Sequence, residues 1–236
     1  MSFDSTPRRG FLGRLMAMTV AVSLPWNSRV IEASNQLAQD DWLGEVTGDH
    51  KCFFDFPNHK FGFPLVHIRN YITTYLAAYG ESSDRVGTVG SFYGMGPAAS
   101  IVMGFNDEIW EKYGLGEYMG LRDGNGKPYT RNVFHRPTAD DSHLLAGVLQ
   151  SPNFGVLGVS ISDSGIESLQ GRGTKFIMCN NALAGWAFEL EARGKGIASE
   201  IDAELRANVL PGVTIVPAMV IAIEKAQETG ISYNKQ

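Results

Sequence analysis

The segment Thr174–Cys179 constrains the fold more than any other stretch of this chain. It carries Phe176-Ile177-Met178, an apolar run with no polar residue between. Gly171 and Gly173 stand in front of it, and a helical pattern begins behind it at about Asn181. A strand with one wet face alternates apolar and polar residues. An unbroken run fits a strand buried on both faces, as the central strands of parallel sheets are.

The rest of the chain supplies the partners such a strand needs. A first strand is predicted at Lys51–Phe56. From Phe63 to Tyr79 the pattern is helical: Pro64 suits a first turn, and Leu65, Ile68, Ile72, Tyr75 and Tyr79 recur at three- and four-residue steps before Gly80. Arg85–Tyr93 reads as a second strand, although its glycines weaken a strand interior, and Gly94–Gly104 reads as a small-residue loop with a turn of helix. Asn106 is placed to cap a short helix through Tyr113, with Asp107 and Glu108 in the first turn, where the helix dipole favours acid. Gly114–Pro137 is a long excursion, and loops of that length have a function or cover something. A helix at Ser142–Leu149, a strand at Val156–Ile161 and a helix at Ser162–Gln170 follow. Beyond Cys179, a second amphipathic stretch carries Ile201, Leu205 and Val209. Pro211-Gly212 turns the chain, Val213–Val216 is a strand, and Pro217 opens a helix to about Thr229. Strands alternating with helices predict one α/β domain, a mainly parallel sheet flanked by helices, over residues 49–236.

The N-terminus reads as an address. Arg8-Arg9-Gly10-Phe11-Leu12 has the twin-arginine pattern, with Arg8, Arg9, Phe11 and Leu12 as its recognition residues, although Pro7 displaces Thr6 by one position. The uncharged stretch Leu15–Trp26 is short of the roughly 20 apolar residues of a membrane span. The alternative is an amphipathic helix retained on the protein. Residues 1–33 are read as signal peptide and lead-in, with small-residue cleavage sites near Ala21–Ser23 or Ala33-Ser34, and 29–48 as a loose polar connection. The expected location is the periplasm, with no stable membrane anchor after processing. That export route carries folded proteins.

Charge narrows the partners. The chain of 236 residues carries −5; Arg8, Arg9 and Arg14 against Asp4 leave residues 1–28 at +2 and the remainder at −7. An acidic mature domain argues against nucleic acid or an anionic membrane surface. Hydrophobic residues at 44% with charged residues at 19% are a globular balance rather than a disordered one.

Cys52 and Cys179 are the two cysteines, too few for a disulfide framework, and sequence leaves open whether they pair. Cys52 lies inside the first strand and reads as core. Cys179 sits where a buried strand ends and a helix begins. The carboxyl ends of strands form the ligand crevice of open α/β sheets, and a helix N-terminus favours thiolate, the nucleophilic form. Asn180 or Asn181 would cap that helix and line the site. The plain alternative is a small buried apolar side chain. His67 and Asn70 stand three apart, off the main apolar stripe, and either line the same crevice or face solvent. His59, His67, His135 and His143 with Asp140 and Asp141 lack a tight ligand spacing, so neither a metal nor a cofactor is expected. Asp123-Gly124-Asn125-Gly126 reads as a turn, no Walker lysine follows the glycines of 87–96, and no serine has a Gly-x-Ser-x-Gly setting.

The run Gly173–Leu183 (Gly-Thr-Lys-Phe-Ile-Met-Cys-Asn-Asn-Ala-Leu), then Leu210–Ala218 (Leu-Pro-Gly-Val-Thr-Ile-Val-Pro-Ala) and the ending Ala226–Tyr233, resembles the DsrE/DsrF-like family. Lys51–Asp55, His67–Tyr71 and Asp107–Tyr113 resemble an exported branch of it. The resemblance implies a compact α/β fold with flavodoxin-like layering and a homo-oligomer. It implies a cysteine, matching Cys179, that carries persulfide sulfur between a donor and an acceptor protein. Where those members have an Arg-Gly pair, this chain has Ala184-Gly185. The expectation is a sulfur carrier acting through Cys179. The alternative is a non-catalytic module that binds a small anionic or sulfur-containing ligand, or a partner subunit, in the same crevice.

Overall fold

The structure is a computed structural model that describes residues 40–144 and 161–236. The twin-arginine segment, the lead-in before Asp40, residues 145–149 of the Ser142–Leu149 helix and all but Ile161 of the Val156–Ile161 strand lie outside the described residues.

Five strands make one all-parallel sheet: β1 (His50–Asp55), β2 (Val86–Phe92), β3 (Thr174–Cys179), β4 (Val213–Val216) and β5 (Ser232–Lys235), in the order β4-β3-β2-β1-β5. The helices are α1 (Asp41–Gly44), α2 (Phe63–Ala78), α3 (Asp107–Tyr113), α4 (Leu115–Tyr118), α5 (Ile166–Gly171), α6 (Asn180–Ala192), α7 (Ala198–Ala207) and α8 (Met219–Glu228). β3 is an interior strand, between β2 and β4, and has Phe176, Ile177 and Met178 fully buried, as its apolar run predicts. β2 is buried at every position. Its glycines mark close approaches: a Cβ on Gly87 would lie 2.3 Å from the Thr47 carbonyl oxygen, and one on Gly90 would lie 2.5 Å from the Phe176 ring.

The sheet carries two apolar layers. Cys52, Phe54, Phe92, Phe176 and Met178 point to the side packed by Ile68 and Ile72 of α2 and Trp186 of α6. Phe53, Val89, Ile177, Cys179 and Val216 point to the other side, against Trp42 of α1 and Met219, Ala222 and Ala226 of α8. The connections from β1 to β4 step one way along the sheet, with their helices on the first side. The chain then returns from β4 to the far edge through α8, which covers the second side.

Three expectations are corrected by packing. Residues 40–48 are not loose: α1 folds back and buries Trp42 to 1% exposure, its ring edge-on to Phe53. Tyr75 and Tyr79 leave the buried stripe of α2, which is Leu65, Ile68 and Ile72. One step around the helix, they form a second stripe with Tyr71 beside β5, and Tyr79 is 70% exposed. Val209 lies beyond α7 and bridges Phe105. β5 is a strand with no apolar alternation: its four residues are exposed and it is held by pairing with β1. The 114–137 excursion is a packed cover. Leu121, Tyr129, Val133 and Phe134 are buried, and the Asn132 side-chain amide donates to the Met103 and Phe105 carbonyls at 2.8 and 2.7 Å. Asp123 does form the predicted turn, its Oδ1 accepting from the Asn125 and Lys127 amides, both at 2.9 Å.

Candidate functional site

Cys179 ends β3, opposite Val216 at the end of β4. The helix after β3 goes to one side of the sheet and the helix after β4 to the other. Cys179 therefore sits at the topological switch point, where open α/β sheets form their crevice. Its sulfur is held from both sides: Sγ accepts the Ala182 amide of α6 at 3.5 Å and the Met219 amide of α8 at 3.4 Å. Cys179 is itself the N-cap of α6, which corrects the expectation that Asn180 or Asn181 fills that role. With φ −74° and ψ 118° it is the last extended residue, and the asparagines already lie inside the helix. α8 has no side-chain cap at Ala218, so the Met219 amide is free to reach the sulfur. Two helix N-termini thus direct the partial positive charge of their N–H groups at one sulfur. The residue is 6% exposed. Asn180, next to it, is 2% exposed, and its Oδ1 has no protein hydrogen-bond partner.

The same rim and the same side of the sheet carry a polar cluster that sequence reasoning missed. Asp55 at the end of β1 is 4% exposed and accepts the Tyr93 hydroxyl at 2.6 Å and the Tyr233 hydroxyl at 2.7 Å. Burial, then the Asp55 carboxylate, push the Tyr93 phenol far above its usual range, and charge on Cys179 pushes the same way. Tyr93 packs against the layer that holds Cys179. Asp55, Tyr93, Cys179 and Tyr233 therefore project to one side of the sheet, from β1, from just past β2, from β3 and from β5. The available signal was a charged residue, Asp55, at the end of an apolar strand.

His67 and Asn70 do not join Cys179. They lie on α2, on the opposite side of the sheet, where they line a trough of about 650 Å³ between α2 and β5, and His67 contacts the Gln236 side chain. Cys52 also belongs to that opposite side, buried, with its thiol pushed up to about 11 by burial. The two cysteines are free. Two other histidines have partners close by. Buried His59 accepts the Phe61 amide at 3.0 Å and is pushed down to about 4 by burial, and His143 bonds the Asp140 and Arg122 carbonyls at 2.8 and 2.9 Å. Among the described residues no three His, Cys, Asp or Glu side chains group to hold a metal ion, and no helix is long and apolar enough to cross a membrane. Comparison of the chain with protein-family models, with curated proteins and with solved structures finds no match.

Proposed function

We propose that this protein is a periplasmic, DsrE-like carrier of sulfane sulfur, with Cys179 as the carrying residue. The observation that supports this reading is the pair of backbone amides, from the first turns of α6 and α8, directed at one sulfur at 3.5 and 3.4 Å. Backbone amides of this kind are the groups that hold an anion at a helix N-terminus. In the proposed step the Cys179 thiolate attacks the outer sulfur of a donor persulfide. A new S–S bond forms, the donor's own S–S bond breaks, and the donor sulfur leaves with the electron pair as a thiolate. An acceptor thiolate then attacks the outer sulfur now on Cys179, and Cys179 leaves as thiolate. The exchange is isoelectronic and needs no outside oxidant.

Val220 and Ile221, on the first turn of α8 beside the Met219 amide, are 71% and 46% exposed. Apolar residues at the mouth of the site suit a protein donor or acceptor, or a second protomer. Export by the twin-arginine route rests on Arg8-Arg9 and the uncharged segment after them. The test is intact mass after incubation with polysulfide. Wild type and Cys52→Ala gain the mass of sulfur, and Cys179→Ala does not. Loading of Cys179→Ala to the wild-type level would end this reading and leave a ligand-binding module.

A further inference from the structure

The trough beside α2 has no part in the sulfur chemistry. Its long wall runs from Phe63 to Tyr79, a helical length of about 24 Å. Tyr71, Tyr75 and Tyr79 line it as consecutive ring contacts, with centroids 4.9 and 5.3 Å apart. The other wall is β5 and the residue after it, through Asn234, Lys235 and Gln236. β5 pairs with β1 on one edge, and among the described residues nothing pairs with the other. The Gln236 amide donates to the Asp55 carbonyl at 2.8 Å. Backbone groups of successive strand residues face opposite edges, so Tyr233 and Lys235 turn their N–H and C=O outward.

An open strand edge alongside an aromatic-walled trough is the arrangement in which an extended chain adds a strand: main-chain bonds supply affinity and alternate side chains enter the trough. Charge selects the occupant. Lys60 lines the trough with no Asp or Glu side chain, and Lys235, in register with Asp55, carries a second positive charge on the other face of the same edge, in a chain whose net charge is −5. A second copy docking by a two-fold axis would set one lysine-bearing edge against its duplicate, which is not complementary. We infer that the outer edge of β5 binds an extended acidic segment of another protein, which adds as a sixth strand and places its apolar side chains against Tyr71, Tyr75 and Tyr79. β5 itself spans four residues, so about four of the partner's residues pair with it and the rest of a heptapeptide continues along the trough.

The test uses the full chain and an array of heptapeptides in which acidic and aromatic residues alternate, with lysine-for-acid versions as controls. The acidic set is expected to bind, more weakly as salt rises. For the tightest peptide, read by fluorescence anisotropy, Lys235→Pro removes an outward N–H and weakens binding by about tenfold. Lys235→Ala removes only the exposed charge and weakens it about threefold. Tyr79→Glu, at a position 70% exposed and so safe for folding, also weakens it. The inference is overturned if no acidic peptide binds, if the lysine versions bind as well, or if Lys235→Pro and Lys235→Ala behave alike. A wild-type dimer split by Lys235→Pro would assign the edge to a second copy and overturn it too.

Discussion

The Met219 amide donates to Cys179 Sγ at 3.4 Å, across 40 residues of sequence. It joins the start of α8 to the end of β3 and completes, with Ala182, a two-sided hold on the sulfur. The two strand-to-helix junctions of the switch point thereby act as one site.

The first prediction isolates that bond. Met219 is the first residue of α8, where proline is tolerated, and Ala218 before it is extended at φ −151°, ψ 134°, as a residue preceding proline must be. Met219→Pro removes the donor, and Met219→Leu keeps it while repacking a buried side chain. A hydrogen bond to a charged group contributes about 1.5–3 kcal/mol, so the proline variant is expected to take up sulfur from polysulfide about tenfold more slowly. The leucine variant should stay near wild type. Equal slowing in both would assign the effect to packing.

The two thiols face opposite sides of the sheet, so no intrachain disulfide forms even in oxidising buffer. Reduced and non-reduced samples should have the same mass. Alkylation of the folded protein near neutral pH should leave Cys52 unmodified, because burial raises its thiol from 9.0 to about 11. The unfolded chain loses this proton first as pH rises. The associated stability is present below about pH 9 and is lost as pH climbs toward 11. Urea melts across that window would show a falling midpoint that Cys52→Ala flattens.

His59 carries the opposite dependence. Burial lowers it from 6.5 to about 4, so the unfolded chain takes up a proton that the folded chain refuses. Stability therefore falls as pH drops from about 6.5 toward 4, by at most about 3 kcal/mol. Its ring also accepts the Phe61 amide, beside Lys60 and Phe61 at φ 40° and 56°, a strained turn for residues with side chains. His59→Gln should flatten the acid limb of a pH–stability curve, and an unchanged limb would contradict this account.

Trp42 tests the reach of the fold toward the N-terminus. At 1% exposure, edge-on to Phe53, its ring fills the layer under β1 and α8. Trp42→Ala should cost about 3–5 kcal/mol of stability, measured by denaturant unfolding. A loss below about 1 kcal/mol would mean the segment only rests on the sheet.

Local pattern carried far in this chain. β3 and β4 run as expected from Thr174 to Cys179 and from Val213 to Val216, and Asn106 caps α3 through a bond to the Ile109 amide at 3.2 Å. Each depends on residues within a few positions of one another. α1 and β5 were not legible because each is too short to repeat a pattern. Trp42 is ordered by Phe53, and Ser232–Lys235 by the edge of β1.

The candidate site divides in the same way. Sequence alone determined that Cys179 ends a buried strand and begins a helix, because a run of three apolar residues and a change of period are local facts. Only tertiary structure decided that a second helix points its N-terminus at the sulfur, that Asp55, Tyr93 and Tyr233 share its rim, and that His67 and Asn70 face the other side. These relations depend on which side of the sheet each crossover takes. That choice is made by packing between segments far apart in the chain, where no spacing rule reaches.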